Sequence, residues 1–207
     1  MDFRQAPKIK IMNEADADYC LATTYDLLVR NNVNVKICYG TLLGATRNGK
    51  FIKGDGDIDL IAYKKDEVKI GNLLKQLKEI KVVCQEDDII KINYKDINLD
   101  IYFLSSNLID SILSRKTWRH GWKKRFINEL YLIDGYKTKL NGKEYNCLSF
   151  TEEWLKKTYG KDWITPQNKR GNTLTLTTNL WYLLTDYRKY KIKMARRGLR
   201  LIVRGYL

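Results

Sequence analysis

Apolar residues recur at helical spacing through ADADYCLATTYDLLVRNN, residues 15–32, and Asn13 with Asp16 just ahead of them has the form of a helix start. In VNVKICYG the spacing changes to two: Val33, Val35, Ile37 and Tyr39 alternate with other residues, which predicts a half-buried strand. Thr41 to Arg47 suits one or two helical turns, ended by Asn48-Gly49. DIDLIAY (57–63) reads as a second strand and KKDEVKIGNLLKQLKEI (64–80) as an amphipathic helix. KVVCQ, IIKINY and INLDIYFL are short and rich in β-branched residues, and the last alternates cleanly. In YKTKLNGKEYNCL the Asn-Gly pair favours the type I′ turn that matches strand twist, so a hairpin is expected. Ser149 with Glu152 suits the cap of a short helix through Tyr159, which Gly160 would stop, and the chain from Asn179 reads as helical.

The order of these elements gives an α/β (α+β) fold with a mixed sheet flanked by helices and a basic helical tail at the C-terminus. Two units are expected, a catalytic domain over residues 1–178 and the tail over 179–207. No internal repeat interrupts them. With 207 residues and 44% apolar content, the chain can bury a sizeable core. No run of about 18 uncharged apolar residues appears, so no membrane-spanning helix is expected. The N-terminal segment lacks the charged start and apolar stretch of a signal peptide. Cys20, Cys38, Cys84 and Cys147 are scattered and His120 stands alone, which argues against structural zinc. Buried, reduced thiols in a cytoplasmic protein are the expectation.

The net charge of +14 implies attraction to polyanions: nucleic acid, anionic lipid, or phosphate-rich substrates. A lysine-rich solvated surface is the plainer explanation, but the charge is uneven, concentrated after residue 115. In WRHGWKKRF, Trp118, Trp122 and Phe126 recur four apart, as on a core face with basic residues outward; a sugar-stacking groove is the alternative. His120 reads as structural or exposed. From Tyr187 onward the tail interleaves basic residues with Ile192, Ala195, Leu199, Ile202 and Val203, a pattern suited to lying on an anionic membrane surface or to simple packing.

The chemistry is concentrated in residues 40–60, GTLLGATRNGKFIKGDGDIDL, where Asp55, Asp57 and Asp59 fall at alternate positions. In an extended chain Asp57 and Asp59 aim at one point, with Ile58 and Leu60 directed into a core. Mg²⁺ commonly binds through one or two carboxylates plus substrate phosphates. The pair therefore points to metal-assisted phosphoryl chemistry, with Mg²⁺ or Mn²⁺ as cofactor. Gly40-Thr41, between a strand and a helix N-terminus, suits close approach of a phosphate. Arg47 and Lys53 are candidate phosphate contacts, and a surface salt bridge is the other role open to Arg47. In INLDIYFL, alternation sets Asn98 and Asp100 opposite Leu99, Ile101 and Phe103. If that strand neighbours DIDLIAY, Asp100 joins the pair as a third acid; otherwise it is an edge residue facing water.

GTLLGATRNGKFIKGDGDIDL resembles the signature of the LicD/fukutin family, approximately G-T-L-L-G-x-x-R-x-G-x-F-I-P-W-D-D-D-I-D. YGKDWITP resembles that family's second stretch, YG-x-x-W-x-x-P, and the likeness covers roughly residues 15–167. The resemblance implies a nucleotidyltransferase-like fold. It also implies transfer of a phospho-alcohol (phosphocholine, glycerol phosphate or ribitol phosphate) from a CDP-activated donor to a hydroxyl of a cell-surface glycan, in lipopolysaccharide or capsule synthesis. Asp57 and Asp59 match the family's metal-binding aspartates, Asp100 its third strand acid, placed to complete the metal site or to act as base on the acceptor hydroxyl, and Gly40 and Thr41 its nucleotide-phosphate turn. Two departures, Lys53-Gly54 for Pro-Trp and Gly56 for an acid, bear on substrate identity more than on reaction type. Trp163 and Pro166 read as buttresses, and Asp162 as a group able to orient a cation or base. The implied partners are the CDP-alcohol, a glycan acceptor that can be lipid-linked, and an anionic membrane beneath the tail, on the cytoplasmic side; no specific nucleic acid is expected. Two other classes share the pattern: a nucleotidyltransferase acting from a nucleoside triphosphate on a small molecule or RNA, and a non-catalytic basic RNA-binding module.

Overall fold

The computed structural model describes residues 12–86, 89–104, 132 and 134–166. The basic aromatic stretch 115–126 and the tail 179–207 lie outside the described residues. Helix α1 (Glu14–Arg30) starts where expected: the Asn13 side chain accepts from the Asp16 N–H at 3.0 Å, satisfying one of the unpaired donors of the first turn. Strand β1 (Lys36–Ile37) leads into α2 (Tyr39–Asn48), then β2 (Asp57–Tyr63), a 3₁₀ turn (Lys64–Asp66) and α3 (Glu67–Leu74). Three strands follow, β3 (Lys81–Glu86), β4 (Ile89–Tyr94) and β5 (Ile97–Leu104). A hairpin of β6 (Lys137–Leu140) and β7 (Lys143–Asn146) and the helix α4 (Thr151–Tyr159) complete the described chain.

Five strands form one mixed sheet in the order β1-β2-β5-β4-β3. β2 and β5 run parallel, which requires the long crossover through α3, β3 and β4; the other pairs are antiparallel. Ile58, Leu60, Ile101, Leu99, Ile90 and Ile92 are fully buried on one face, and α1 and α3 belong to the same core. Each such side chain removed from water contributes roughly 1.5–3 kcal/mol. The opposite face carries the polar alternates. The fold is the mixed α+β arrangement that the order of elements predicts.

Local differences have physical causes. The alternation over residues 33–40 yields only a two-residue strand, because Tyr39 adopts a left-handed φ of 41° and opens α2 two residues early. Val33 and Val35 still fill the core, without strand pairing. The helix expected over 64–80 is shorter: a 3₁₀ turn precedes it, and after Leu74 the chain closes with tight bonds from Gln76 to Leu73 and Leu77 to Leu74. Ile80 is nevertheless buried, so the apolar period past the helix end serves a loop. At α4 the residue before the helix is Phe150 (φ 54°) rather than the expected Ser149, and the Phe150 side chain makes no cap bond. Gly160 ends the helix with φ 97°. The hairpin follows its Asn-Gly signal: Asn141 and Gly142 both have positive φ (46° and 83°), and Leu140 pairs with Lys143 around them. Cys20, Cys38 and Cys147 are buried and unpaired, but Cys84 on the edge strand is only half-buried, against the expectation for all four. Among the described residues no helix is long and apolar enough to cross a membrane.

Candidate active site

The site grows from the junction of β2 with the first turn of α2. Strand alternation buries Ile58 and Leu60 and turns Asp57 and Asp59 to the polar face, Asp57 half-buried and Asp59 buried. Asp59 is held from three directions. Its Oδ2 accepts from the Gly40 N–H at 2.9 Å, its own N–H donates to Thr41 Oγ1 at 2.9 Å, and its carbonyl accepts from the Cys38 N–H at 3.1 Å. The turn formed by Gly40 and Thr41 thus meets a carboxylate, with the positive end of α2 directed at it. A side-chain carbon on Gly40 would meet the far end of the Asp55 side chain at Oδ2 and stand 3.3 Å from Asp59 Oδ2, so the turn leaves little room beside the acids.

Parallel pairing places Asp100 directly opposite Asp59, and Asn98 opposite Asp57. Residues paired in register share a face, so the third acid stands beside the first two. β4 then sets Lys91 opposite Asp100, and Lys91 Nζ donates to Asp100 Oδ2 at 2.9 Å. The Tyr102 hydroxyl lies 3.4 Å from the same oxygen. An aromatic group borders this end of the site: Tyr39 packs edge-on to Tyr102 with ring centres 5.0 Å apart, and against Trp154 at 5.4 Å.

The electrostatics are those of an under-neutralised anionic cluster. Burial, then the Asp57 and Asp55 charges, push the Asp59 carboxyl well above the usual range, against the opposing Gly40 N–H. Burial and Asp57 raise Asp55 to about 6. The buried Cys38 thiol is pushed up by desolvation and then by Asp59, Asp100 and Asp57, which keeps it protonated and poor as a nucleophile. Burial, then Asp59 and Asp100, raise the Tyr102 hydroxyl. Carboxylates that resist ionisation together accept positive charge readily, as protons or as a cation.

The donor set fits a hard divalent ion by its chemistry, being carboxylate oxygens. No three His, Cys, Asp or Glu side chains among the described residues are gathered closely enough to hold an ion alone. Mg²⁺ commonly completes its shell with water and substrate phosphate, so two carboxylates on one strand fit that manner of binding.

The remaining expected residues are distributed as follows. Arg47 Nε donates to the Trp163 carbonyl at 2.6 Å, and Nη2 donates to the same oxygen and to the Thr165 carbonyl at 3.2 Å. It joins the acid-bearing stretch to YGKDWITP. Trp163 is buried, a buttress, whereas Asp162 is exposed and its carbonyl accepts from the Thr165 N–H. Lys53 is exposed on the turn before Asp55. Three neighbours of the site escape the sequence assignment. Asp55 was visible as the first of the alternating aspartates. Lys91 alternates with Ile90 and Ile92 in IIKINY, but its partner depends on sheet order. Tyr39 reads as a strand residue and left no signal of its left-handed turn.

Residues 32–170 match the family described as LicD/FKTN/FKRP, nucleotidyltransferase domain. An uncharacterized protein of Rickettsia prowazekii (strain Madrid E) is 29% identical over 116 residues, 55% of this chain and 43% of its own length. One of Rickettsia typhi (strain ATCC VR-144 / Wilmington) is 39% identical over 57 residues, 28% of this chain and 18% of its own. The chain thus spans less than half the length of these curated relatives. Among solved structures, the solution structure of the antibiotic-resistance factor ANT(2″)-Ia superposes with a TM-score of 0.53 at 15% identity, covering 91% of this chain and 93% of that one; the likeness is one of fold.

Proposed function

The chain belongs to the LicD/FKTN/FKRP nucleotidyltransferase-domain family, and from that premise we propose that it transfers a phospho-alcohol from a CDP-activated donor to a sugar hydroxyl of a cell-surface glycan. A transferase of the phosphotransferase and nucleotidyltransferase type is the coarser statement that the family supports; donor and acceptor are this proposal's own. One observation carries it: Asp57 and Asp59 share a face, directly beside Asp100, at the N-terminal turn of α2.

In this reading Asp57 and Asp59 hold Mg²⁺ or Mn²⁺. When bound, the ion supplies charge neutralisation to phosphoryl oxygens. The acceptor hydroxyl attacks the donor's β-phosphorus, a new P–O bond forms, and the bond to the bridging oxygen breaks, releasing CMP with the electron pair. Lys91 and Tyr102 both engage Oδ2 of Asp100, and the proton of the acceptor hydroxyl goes to Oδ1. Gly40 and Thr41 fix Asp59, while Lys53 lies on the exposed turn before Asp55. The aromatic group of Tyr39, Tyr102 and Trp154 gives the site an apolar border against water. An anionic membrane under the basic tail would bring a lipid-linked acceptor near.

The test is a thermal-shift screen of CDP-choline, CDP-glycerol, CDP-ribitol and CTP with Mg²⁺ or Mn²⁺, followed by product analysis with a pool of glycan acceptors. Stabilisation by a CDP-alcohol and release of CMP are expected. Pyrophosphate release from CTP would replace this reading with nucleotidyl transfer. Salt-sensitive RNA binding without turnover of any donor would replace it with a binding module.

A further inference from the structure

The cavity beside the acids contains a cation that the sequence pattern did not single out. It encloses about 340 Å³ and is lined by Gly56, Asp57, Val83, Lys91, Asn98 and Asp100. Lys91 is the basic residue of that lining. β4 sets it directly across from Asp100, on the face that carries Asp57 and Asp59. The Lys91 side chain remains 46% exposed while its Nζ lies 2.9 Å from Asp100 Oδ2, on a carboxylate side chain only 6% exposed.

That asymmetry separates two roles for the pair. A half-exposed ion pair contributes little to stability. A buried carboxylate, by contrast, is costly without a partner. The lysine serves Asp100 through an ammonium that carries three N–H donors, and the side chain that bears it is half-exposed and lines the cavity.

A substrate phosphate entering this cavity meets Asp57 and Asp100. Their like charge opposes it at close range. On the reading above, a cation held by Asp57 and Asp59 would offset part of that repulsion, and a cationic side chain at the Asp100 end of the cavity would offset more. Arg47 is engaged with the Trp163 and Thr165 carbonyls, and Lys53 sits on an exposed turn outside the lining.

We propose that Lys91 is the residue by which this site grips a substrate phosphate, and that Asp100 holds its ammonium at the cavity. The inference rests on the phosphotransfer reading above. It gives Lys91 a specificity role: the cavity takes an anionic phosphate ester and discriminates against uncharged ligands of similar size.

Calorimetry on the full chain with CDP and Mg²⁺ tests it, using the wild type, Lys91→Gln and Lys91→Arg, with the melting temperature of each recorded. Lys91→Gln is expected to weaken CDP binding by roughly tenfold to a hundredfold, the size of one charge-assisted hydrogen bond. Lys91→Arg should stay near the wild type, because it retains the charge. Should Lys91→Gln fail to fold, the double variant K91Q/D100N strands no charge and takes its place. Wild-type affinity in the glutamine variant would overturn the Lys91 role and leave phosphotransfer standing. Equal weakening in Gln and Arg variants, with equally lowered melting temperatures, would overturn it too, making the lysine only a structural partner of Asp100. No CDP binding by the wild type would overturn both readings together.

Discussion

Arg47 and Trp163, 116 residues apart, are joined side chain to backbone: the guanidinium donates to the Trp163 carbonyl and reaches Thr165 as well. The bond connects the helix after the glycine turn to the chain that follows α4. It accounts for an arginine at position 47, while the acceptor is backbone and the Trp163 side chain is buried. Burial lowers the Arg47 pKa somewhat, but the group stays charged, and charged donors make strong bonds to carbonyls.

Arg47→Ala is therefore expected to destabilise the fold by about 1.5–3 kcal/mol, the range for a hydrogen bond to a charged group. Arg47→Lys should recover only part of it, since one ammonium cannot reproduce the planar fork. Urea unfolding measures this. A variant with unchanged stability and weakened nucleotide binding would show instead that the arginine's work is at the phosphate.

Gly40→Ala separates folding from chemistry. The added carbon meets the far end of Asp55, which can swing aside, and crowds Asp59 Oδ2 at 3.3 Å. We expect a folded protein by circular dichroism whose metal-dependent turnover falls by at least about tenfold, as befits misplacement of catalytic groups by an ångström or less. Turnover equal to the wild type would mean that the position of Asp55 and Asp59 is not critical.

Much of this site was legible in the chain because strand alternation is a two-residue rule that needs no partner. It assigned Asp57 and Asp59 to one face and Asp100 to one face of its own strand, and parallel pairing of β2 with β5 then set Asp59 opposite Asp100. The Asn141-Gly142 turn was equally local. What was not legible depends on long-range contacts. Lys91 meets Asp100 only because β4 lies next to β5, and Arg47 finds carbonyls far along the chain. Tyr39 continued an apolar alternation that its left-handed backbone breaks, and Ile80 continued a helical period into a loop.

On the proposed reading, Asp57→Asn and Asp59→Asn should each abolish turnover, since each removes charge that would hold the cation at almost unchanged volume. Their stabilities should move the other way. Asp59 is buried among like charges that push its carboxyl well up, so an amide in its place relieves repulsion while still accepting from Gly40. In metal-free buffer Asp59→Asn should melt at or above the wild-type temperature. A marked loss of stability would show that Asp59 is a structural anchor more than a site residue.

The pH dependence of the metal-free protein provides a further test, with a sign opposite to that of salt-bridged acids. Asp55 has its carboxyl raised from 3.8 to about 6, first by burial and then by Asp57. Between those values the folded state binds more protons than the unfolded state, so folding stability falls as pH rises through that window. In EDTA, the wild type should therefore be more stable near pH 5 than near pH 7, as far as this group is concerned. Asp55→Asn should remove that component and flatten the profile. Adding Mg²⁺ at pH 7 should recover stability in the wild type, because a cation bound to the folded site stabilises it by mass action, and should do so less in Asp57→Asn. Thermal melts across pH in EDTA and in Mg²⁺ decide the matter. A profile that rises from pH 5 to 7 in EDTA and is unchanged by Asp55→Asn would show that Asp55 is ionised and satisfied in the apo fold, outside the cluster of coupled acids.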